Sequence, residues 1–169
     1  MMIRRAVLSD MEDICSIYEY AREKMRRSGN PGQWGDHYPP GEIIKADICS
    51  GNSYVLTDGC RTGAVFALII GEDATYRRIE QGSWLNQEPY AALHRMAGNG
   101  TFRNVSGICL EFCEARLREE KISNIRADTH ADNGIMQHLL EKNGFQKCGR
   151  IYARDGSPRI AYQKIFCCC

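Results

Sequence analysis

His94 is the residue best suited to take a proton near neutral pH, because imidazole is the side chain that changes charge there. It follows Ala92 by two residues and Tyr90 by four, so in a strand it shares one nominal face with Tyr90. A hydrogen-bonded core histidine is the equally good alternative. Asp128 and His130 are also two apart. A regular strand projects both to one side, where a carboxylate and an imidazole could do acid–base work. His130 suits a cap at the strand exit as well. Trp34, Tyr38, Tyr76, Trp84 and Tyr90 fall in a less regular stretch. They either pack a core and anchor loops, or wall a small-molecule cleft with apolar faces and a few polar groups. Asp73 and Glu80 are carboxylates that could meet an amine, although surface acids need no special role. Tyr152, near the end of a late strand, carries a phenol that is protonated at neutral pH and is the candidate proton donor.

Nine cysteines complete the reactive set. Cys15, Cys49, Cys109, Cys113 and Cys148 fall in apolar patterns and read as small buried side chains. Cys60 lies near a Gly-rich turn, and Cys167, Cys168 and Cys169 form a terminal run. The odd total and the absence of Cys-x-x-Cys spacing point to a reducing cytosol and to no metal site.

The elements that must position these groups come from a chain of 169 residues, 43% hydrophobic and 25% charged. That is enough apolar material for one domain with a real core. The 22 basic and 21 acidic residues leave a formal charge of +1, so no basic nucleic-acid surface is expected. The longest apolar run, residues 64–70, is too short to cross a bilayer, and the N-terminus lacks the apolar segment of a secretory signal. A cytoplasmic protein with no membrane and no nucleic-acid partner is the expectation.

Ile3 to Val7 suggests a first strand. Ser9 or Asp10 can cap a helix from about Met11 to Arg26, with Ile14, Ile17, Tyr18 and Ala21 as its apolar stripe. Gly and Pro break the chain at 28–32, and Pro39-Pro40-Gly41 starts a helix carrying Ile43, Ile44 and Ile48. Strands at 54–57 and 62–70 flank the Asp58-Gly59 turn. A short extended piece at 76–80 and a central strand at 90–97 follow. A helix from 108 to 120 turns Ile108, Phe112, Ala115 and Leu117 to the sheet. A strand at 124–129, a helix capped by Asp132 and ended by Gly144, and strands at 145–152 and 158–165 complete the order. The class is α/β or α+β with a mixed sheet: one domain over 1–166, then a cysteine tail at 167–169.

The block Asn124-Ile-Arg-Ala-Asp-Thr-His-Ala-Asp-Asn-Gly-Ile-Met-Gln-His-Leu-Leu-Glu-Lys-Asn-Gly-Phe145 closely resembles the C-terminal half of the GNAT superfamily of N-acetyltransferases. Gly149-Arg-Ile-Tyr152 and Asp155-Gly-Ser-Pro-Arg-Ile-Ala-Tyr162 extend the likeness. Gln33-Trp34, Tyr38-Pro39 and Trp84-Leu85 look like a bacterial-type subgroup with uncharacterised acceptors. The resemblance implies a central mixed, mostly antiparallel sheet flanked by helices, with acetyl-CoA as cofactor. It places Asn133, for which helix capping is the alternative, and Gly144-Phe145 beside the thiol end of acetyl-CoA, and backbone donors around Met96, Ala97 and Gly98 on the thioester carbonyl; His130, at the strand exit, could hydrogen-bond near the reacting centre. The superfamily's phosphate loop has Arg or Gln, two residues, Gly, one residue, then Gly or Ala. Here Gly107 fits, while Asn104 and Cys109 depart. Such a loop must turn backbone N–H groups onto a pyrophosphate as a helix begins. Val105, Ser106, Gly107, Ile108 and Cys109 all offer them, Arg103 adds a cation, and the Cys109 side chain is expected to crowd the anion. The family's tyrosine general acid has Leu140 at its position, which leaves Tyr152, Tyr90 or solvent as donor.

The function implied is acetyl transfer from acetyl-CoA to a primary amine of a small metabolite or peptide, by direct attack. His94 would act as base, and Trp34, Tyr38, Asp73, Tyr76, Trp84, Tyr90 and Asp128 would contact the acceptor. A homodimer is left open. A catalytically weak acyl-CoA-binding regulator is the alternative, resting on Leu140 and Cys109. An RNA-binding module is less consistent with the balanced charge.

Overall fold

Asp58 makes the first hairpin of this computed structural model, which describes residues 1–167. Its Oδ1 accepts the N–H groups of Cys60 at 3.0 Å and Arg61 at 2.9 Å. The turn closes β2 (Ser53–Thr57) onto β3 (Thr62–Ile70), and β1 (Met2–Arg5) pairs antiparallel with β2. β4 (Ala91–Gly98) runs parallel to β5 (Asn124–Thr129), with register Ala91↔Ile125 to Leu93↔Ala127. β7 (Pro158–Ile165) lies antiparallel between β5 and β6 (Gln146–Tyr152). The strand order is β1-β2-β3-β4-β5-β7-β6. This is a mixed, mostly antiparallel sheet flanked by helices.

The chain packs as two units, Met1–Leu68 with His94–Phe112, and Ile69–Leu93 with Cys113 onward. In the first, α1 (Met11–Arg27) and α2 (Gly41–Cys49) bury Ile14, Ile17, Tyr18, Ile44 and Ile48 against Val55 and Val65. Successive strand residues face opposite ways. Tyr54 and Phe66 therefore point to the other side, stacked at 5.4 Å with Phe112 of α3 (Val105–Glu119) against them. In the second unit Tyr76, Trp84, Tyr90, Ala92, Ile151 and Ala161 form the core. There the Tyr162 hydroxyl donates to Glu141 of α4 (Gly134–Lys142) at 3.2 Å. No helix among the described residues is long and apolar enough to cross a membrane.

Several local expectations change. Residues 76–80 form no strand: a 3₁₀ turn covers Ala74–Tyr76, and Glu80 makes one isolated bridge to Arg150. The Asp73 carboxylate favours that turn by accepting the N–H of Thr75. α3 begins at Val105 rather than 108, and it buries Cys109, Leu110, Cys113 and Leu117 fully. Ile108 and Phe112 are half buried and Ala115 is exposed. Neither Ser9 nor Asp10 caps α1 through its side chain, because the Asp10 carboxylate turns to Arg4 and the Val7 N–H. Asn133, not Asp132, caps α4. Cys15 and Cys49 are exposed, as helix positions next to a buried stripe must be when it faces a single core. Of the cysteine tail, Cys168 and Cys169 lie outside the described residues.

Candidate active site

β4 departs from strand geometry at one residue. Arg95 has φ +53°, left-handed backbone that costs a non-glycine residue about 1–3 kcal/mol. The surroundings hold it there. Its Nε and Nη2 donate to the two carboxylate oxygens of Asp47 on α2, at 2.9 and 3.0 Å. These side chains are only 11% and 14% exposed. Nη1 reaches the Tyr38 hydroxyl at 3.4 Å, and the Tyr18 hydroxyl donates to the Arg95 carbonyl at 3.1 Å. Burial works against the guanidinium charge, yet Asp47 and the tyrosines hold its pKa above the ordinary value. Burial pushes the Tyr18 phenol up, so it remains a donor. The burial pattern breaks there too: His94, Arg95 and Met96 all keep some exposure in succession instead of alternating. A left-handed residue inside a strand re-aims the peptide groups on either side of it. Ala97 is buried in the first unit's core, and Gly98 is half buried at the strand end.

In the same unit, Asn104 at φ +54° turns the chain into α3. The Ile108 N–H donates to the Asn104 carbonyl at 3.1 Å, so it is committed to the helix. An α-helix leaves its first-turn N–H groups without intrahelical acceptors, which here means those of Val105, Ser106 and Gly107. They carry the positive end of the helix dipole. A Cβ at residue 107 would stand 2.7 Å from Asn104 Oδ1, so glycine lets that amide fold over the first turn. Arg103 and Asn104 are exposed. The Cys109 side chain is fully buried, its thiol pushed up to about 12 by loss of water. It faces the core, which corrects the expectation that it crowds the anion.

The first unit also holds a cleft of about 140 Å³ between α1 and α2, lined by Tyr18, Arg22, His37 and Ile44 among others. Arg22 donates to the Tyr38 carbonyl at 3.2 Å. Trp34 packs edge-on against Tyr18 and tilted against Tyr38, with centroids at 5.6 and 6.3 Å.

In the second unit Asp128, on β5, accepts the Tyr76 hydroxyl at 2.7 Å, with Arg159 Nε 4.0 Å away. Burial first, then the Asp128 charge, raise the Tyr76 phenol well above its usual range. Trp84 Nε1 donates to the Tyr76 carbonyl at 2.9 Å, and the Asp73 N–H donates to the Tyr90 hydroxyl at 2.9 Å. The Arg126 guanidinium lies 4.2 Å from the Trp84 ring centroid and 4.0 Å from that of Tyr90. Arg126 donates to the Asn86 carbonyl at 2.9 Å, and its buried Nε has no hydrogen-bond partner among the described residues. Sequence patterning missed Arg126 and the Asp47–Arg95 pair, since a cation in a strand reads as solvent-facing. Asn133 Oδ1 accepts the Met136 N–H at 3.0 Å, and the Asn133 N–H donates to the His130 carbonyl at 3.0 Å. His130 Nδ1 accepts the Asp132 N–H at 3.2 Å. Leu140 is buried. Tyr152 is exposed on β6 and donates to Glu80 at 3.0 Å.

Solved structures decide what kind of protein carries this arrangement. An acetyltransferase of the GNAT family from Streptococcus agalactiae 2603 is 34% identical, with a TM-score of 0.84; the match covers 98% of this chain and 95% of that one. The chain belongs to the GNAT family. A GNAT-family acetyltransferase from Listeria monocytogenes 4b F2365 is 20% identical, with a TM-score of 0.74 and coverage of 98% and 94%. A ribosomal-protein-alanine N-acetyltransferase from Brucella melitensis is 18% identical, with a TM-score of 0.66 and coverage of 98% and 100%. At those identities the likeness is one of fold. No protein-family model and no curated protein matches the chain.

GNAT membership implies acetyl-CoA as acetyl donor, and the first unit suits it. Val105, Ser106 and Gly107 stand at a helix N-terminus whose main-chain donors could meet phosphate, Gly107 leaves room for the Asn104 amide beside them, and exposed Arg103 adds positive charge. Among the described residues no group of three or more His, Cys, Asp or Glu could hold a metal ion.

Proposed function

We propose that this GNAT protein transfers the acetyl group of acetyl-CoA to a primary amine of a small metabolite or peptide, by direct attack of the amine. The observation that carries the reading is the left-handed backbone at Arg95, inside β4 between His94 and Met96. It supports a main-chain donor around Met96, Ala97 and Gly98 for the carbonyl oxygen, two to four residues beyond the His94 imidazole that accepts the amine's proton. Bound acetyl-CoA supplies the activated thioester. The first turn of α3 and Arg103 hold its phosphates, and Asn133 and His130 serve its thiol end.

Asp128, held by the Tyr76 hydroxyl, is the carboxylate that meets the acceptor amine, with Asp73 in support. Trp34 and Tyr38 wall the acceptor side of the first unit. Tyr76, Trp84 and Tyr90 act from the core behind Asp128, consistent with their burial. Tyr152 is the proton-donor candidate, with water or unassisted thiolate departure as the simpler route. Buried Leu140 favours that route, and it also favours the second reading, an acyl-CoA-binding regulator of weak activity.

Acetyl-CoA and a panel of primary amines and peptides, followed by intact-product mass spectrometry, test the proposal. Acetylated product that requires acetyl-CoA is expected. Binding of acetyl-CoA without product from any amine would replace the transferase with the regulator.

A further inference from the structure

We infer that Asp47 is a positioning residue for acetyl transfer. By pairing with Arg95 it holds the left-handed turn that aims a β4 main-chain donor at the acetyl carbonyl. This rests on the function proposed above and assigns it a device in α2.

Three observations converge on Asp47. Arginine in left-handed backbone persists only where its surroundings over-determine the conformation, and Arg95 is clamped at both ends. Asp47 grips the side chain through two hydrogen bonds, while Tyr18 of α1 grips the carbonyl. The pair is also an inefficient way to stabilise a fold. Both side chains are nearly nine-tenths buried, and removing two charges from water offsets most of their attraction. Finally, Asp47 lies in the last turn of α2, which ends at Cys49. A carboxylate there opposes the helix dipole, and Asp47 incurs that local cost where Arg95 can meet it.

The pair is therefore best understood by what it holds still. If the Arg95 peptide relaxed to ordinary strand geometry, the following N–H would rotate toward the ladder. The donor for the acetyl oxygen would then be lost, although the helix that binds phosphate would be untouched. Asp47 should thus govern polarisation and rate, and leave cofactor affinity alone.

The test uses the full chain and acetyl-CoA carrying ¹³C at the acetyl carbonyl. Infrared difference spectra report polarisation as a downshift of the bound carbonyl stretch, and calorimetry reports affinity. For Asp47→Asn we expect acetyl-CoA affinity within about twofold of the parent and loss of the downshift. With an amine from the panel, kcat should fall on the order of tenfold to a hundredfold at unchanged KM. Tyr18→Phe, which removes only the hydroxyl on the Arg95 carbonyl, should weaken the downshift in the same direction. It decides the question alone if circular dichroism shows Asp47→Asn unfolded.

A downshift retained in the folded variants would overturn the inference. So would affinity lost together with the downshift, which would make Asp47 structural. A parent that binds acetyl-CoA without any downshift would overturn it while leaving the acetyl-CoA assignment standing. A parent that fails to bind acetyl-CoA would remove both.

Discussion

Gly107→Asp puts a carboxylate on the first turn of α3, where the proposed pyrophosphate meets backbone donors. The new Cβ would stand 2.7 Å from Oδ1 and 2.9 Å from Nδ2 of Asn104, so that amide must swing aside. Asn104 is exposed and its side chain is short, so the movement is cheap. The electrostatic cost is larger. A carboxylate about 6 Å from each of two phosphate charges, at an effective dielectric constant of about 40–80, opposes binding by about 1.4–2.8 kcal/mol. That corresponds to about tenfold to a hundredfold in Kd. Folding should not suffer, because an acid in the first turn of a helix agrees with its dipole. Gly107→Ala is the uncharged control. It moves Asn104 in the same way and should weaken CoA binding less than about threefold, less than one hydrogen bond is worth. Calorimetric titration of CoA into all three proteins separates the effects. Raising salt from about 0.05 to about 0.5 M should shrink the gap between the Asp and Ala variants, since screening acts on the charge alone. Equal affinities for Asp and Ala at low salt would place the pyrophosphate elsewhere.

His94→Gln should lower turnover of an accepted amine with little change in CoA affinity, and should flatten the acidic limb of the rate-against-pH profile; an unaltered profile and turnover would reject it as base. The Asp10 carboxyl is held below its usual range by hydrogen bonds from Arg4 at 2.7 and 2.8 Å and from the Val7 N–H at 2.8 Å. Its stabilisation is thus present above the ordinary carboxylate range and disappears as pH falls through the folded value. Asp10→Asn should cost about 1–2 kcal/mol at neutral pH, kept low because Arg4 is 41% exposed, and urea unfolding should show the gap closing as pH falls below the ordinary carboxylate range. Cys15, Cys49, Cys60 and Cys167 should react with a thiol reagent in the native protein, whereas buried Cys109, Cys113 and Cys148 should need denaturant. Labelling of Cys109 at the rate of Cys60 would contradict its placement in the core.

Residue types and spacing alone determined the parts of this protein that depend on neighbours in the chain. Ile14, Ile17, Tyr18 and Ala21 recur at helical intervals and form the buried stripe of α1. Asp58-Gly59 makes its turn through its own side-chain acceptor, and β5 and β7 run over Asn124–Thr129 and Pro158–Ile165 as their apolar patterns require. The start of α3 was less legible: glycine signals a turn locally, yet the helix begins at Val105, three residues before the apolar pattern places it. Tertiary structure decided the rest. Arg95 lies 48 residues from Asp47, and Tyr76 lies 52 from Asp128. Arg126 finds its two aromatic rings on the chain that leads into β4. Cys15 and Cys109 are alike in sequence context but opposite in exposure. Periodicity specifies which residues share a face. Which face meets another element, and which buried charge finds a partner, depends on contacts between distant segments that exist only once the chain has folded.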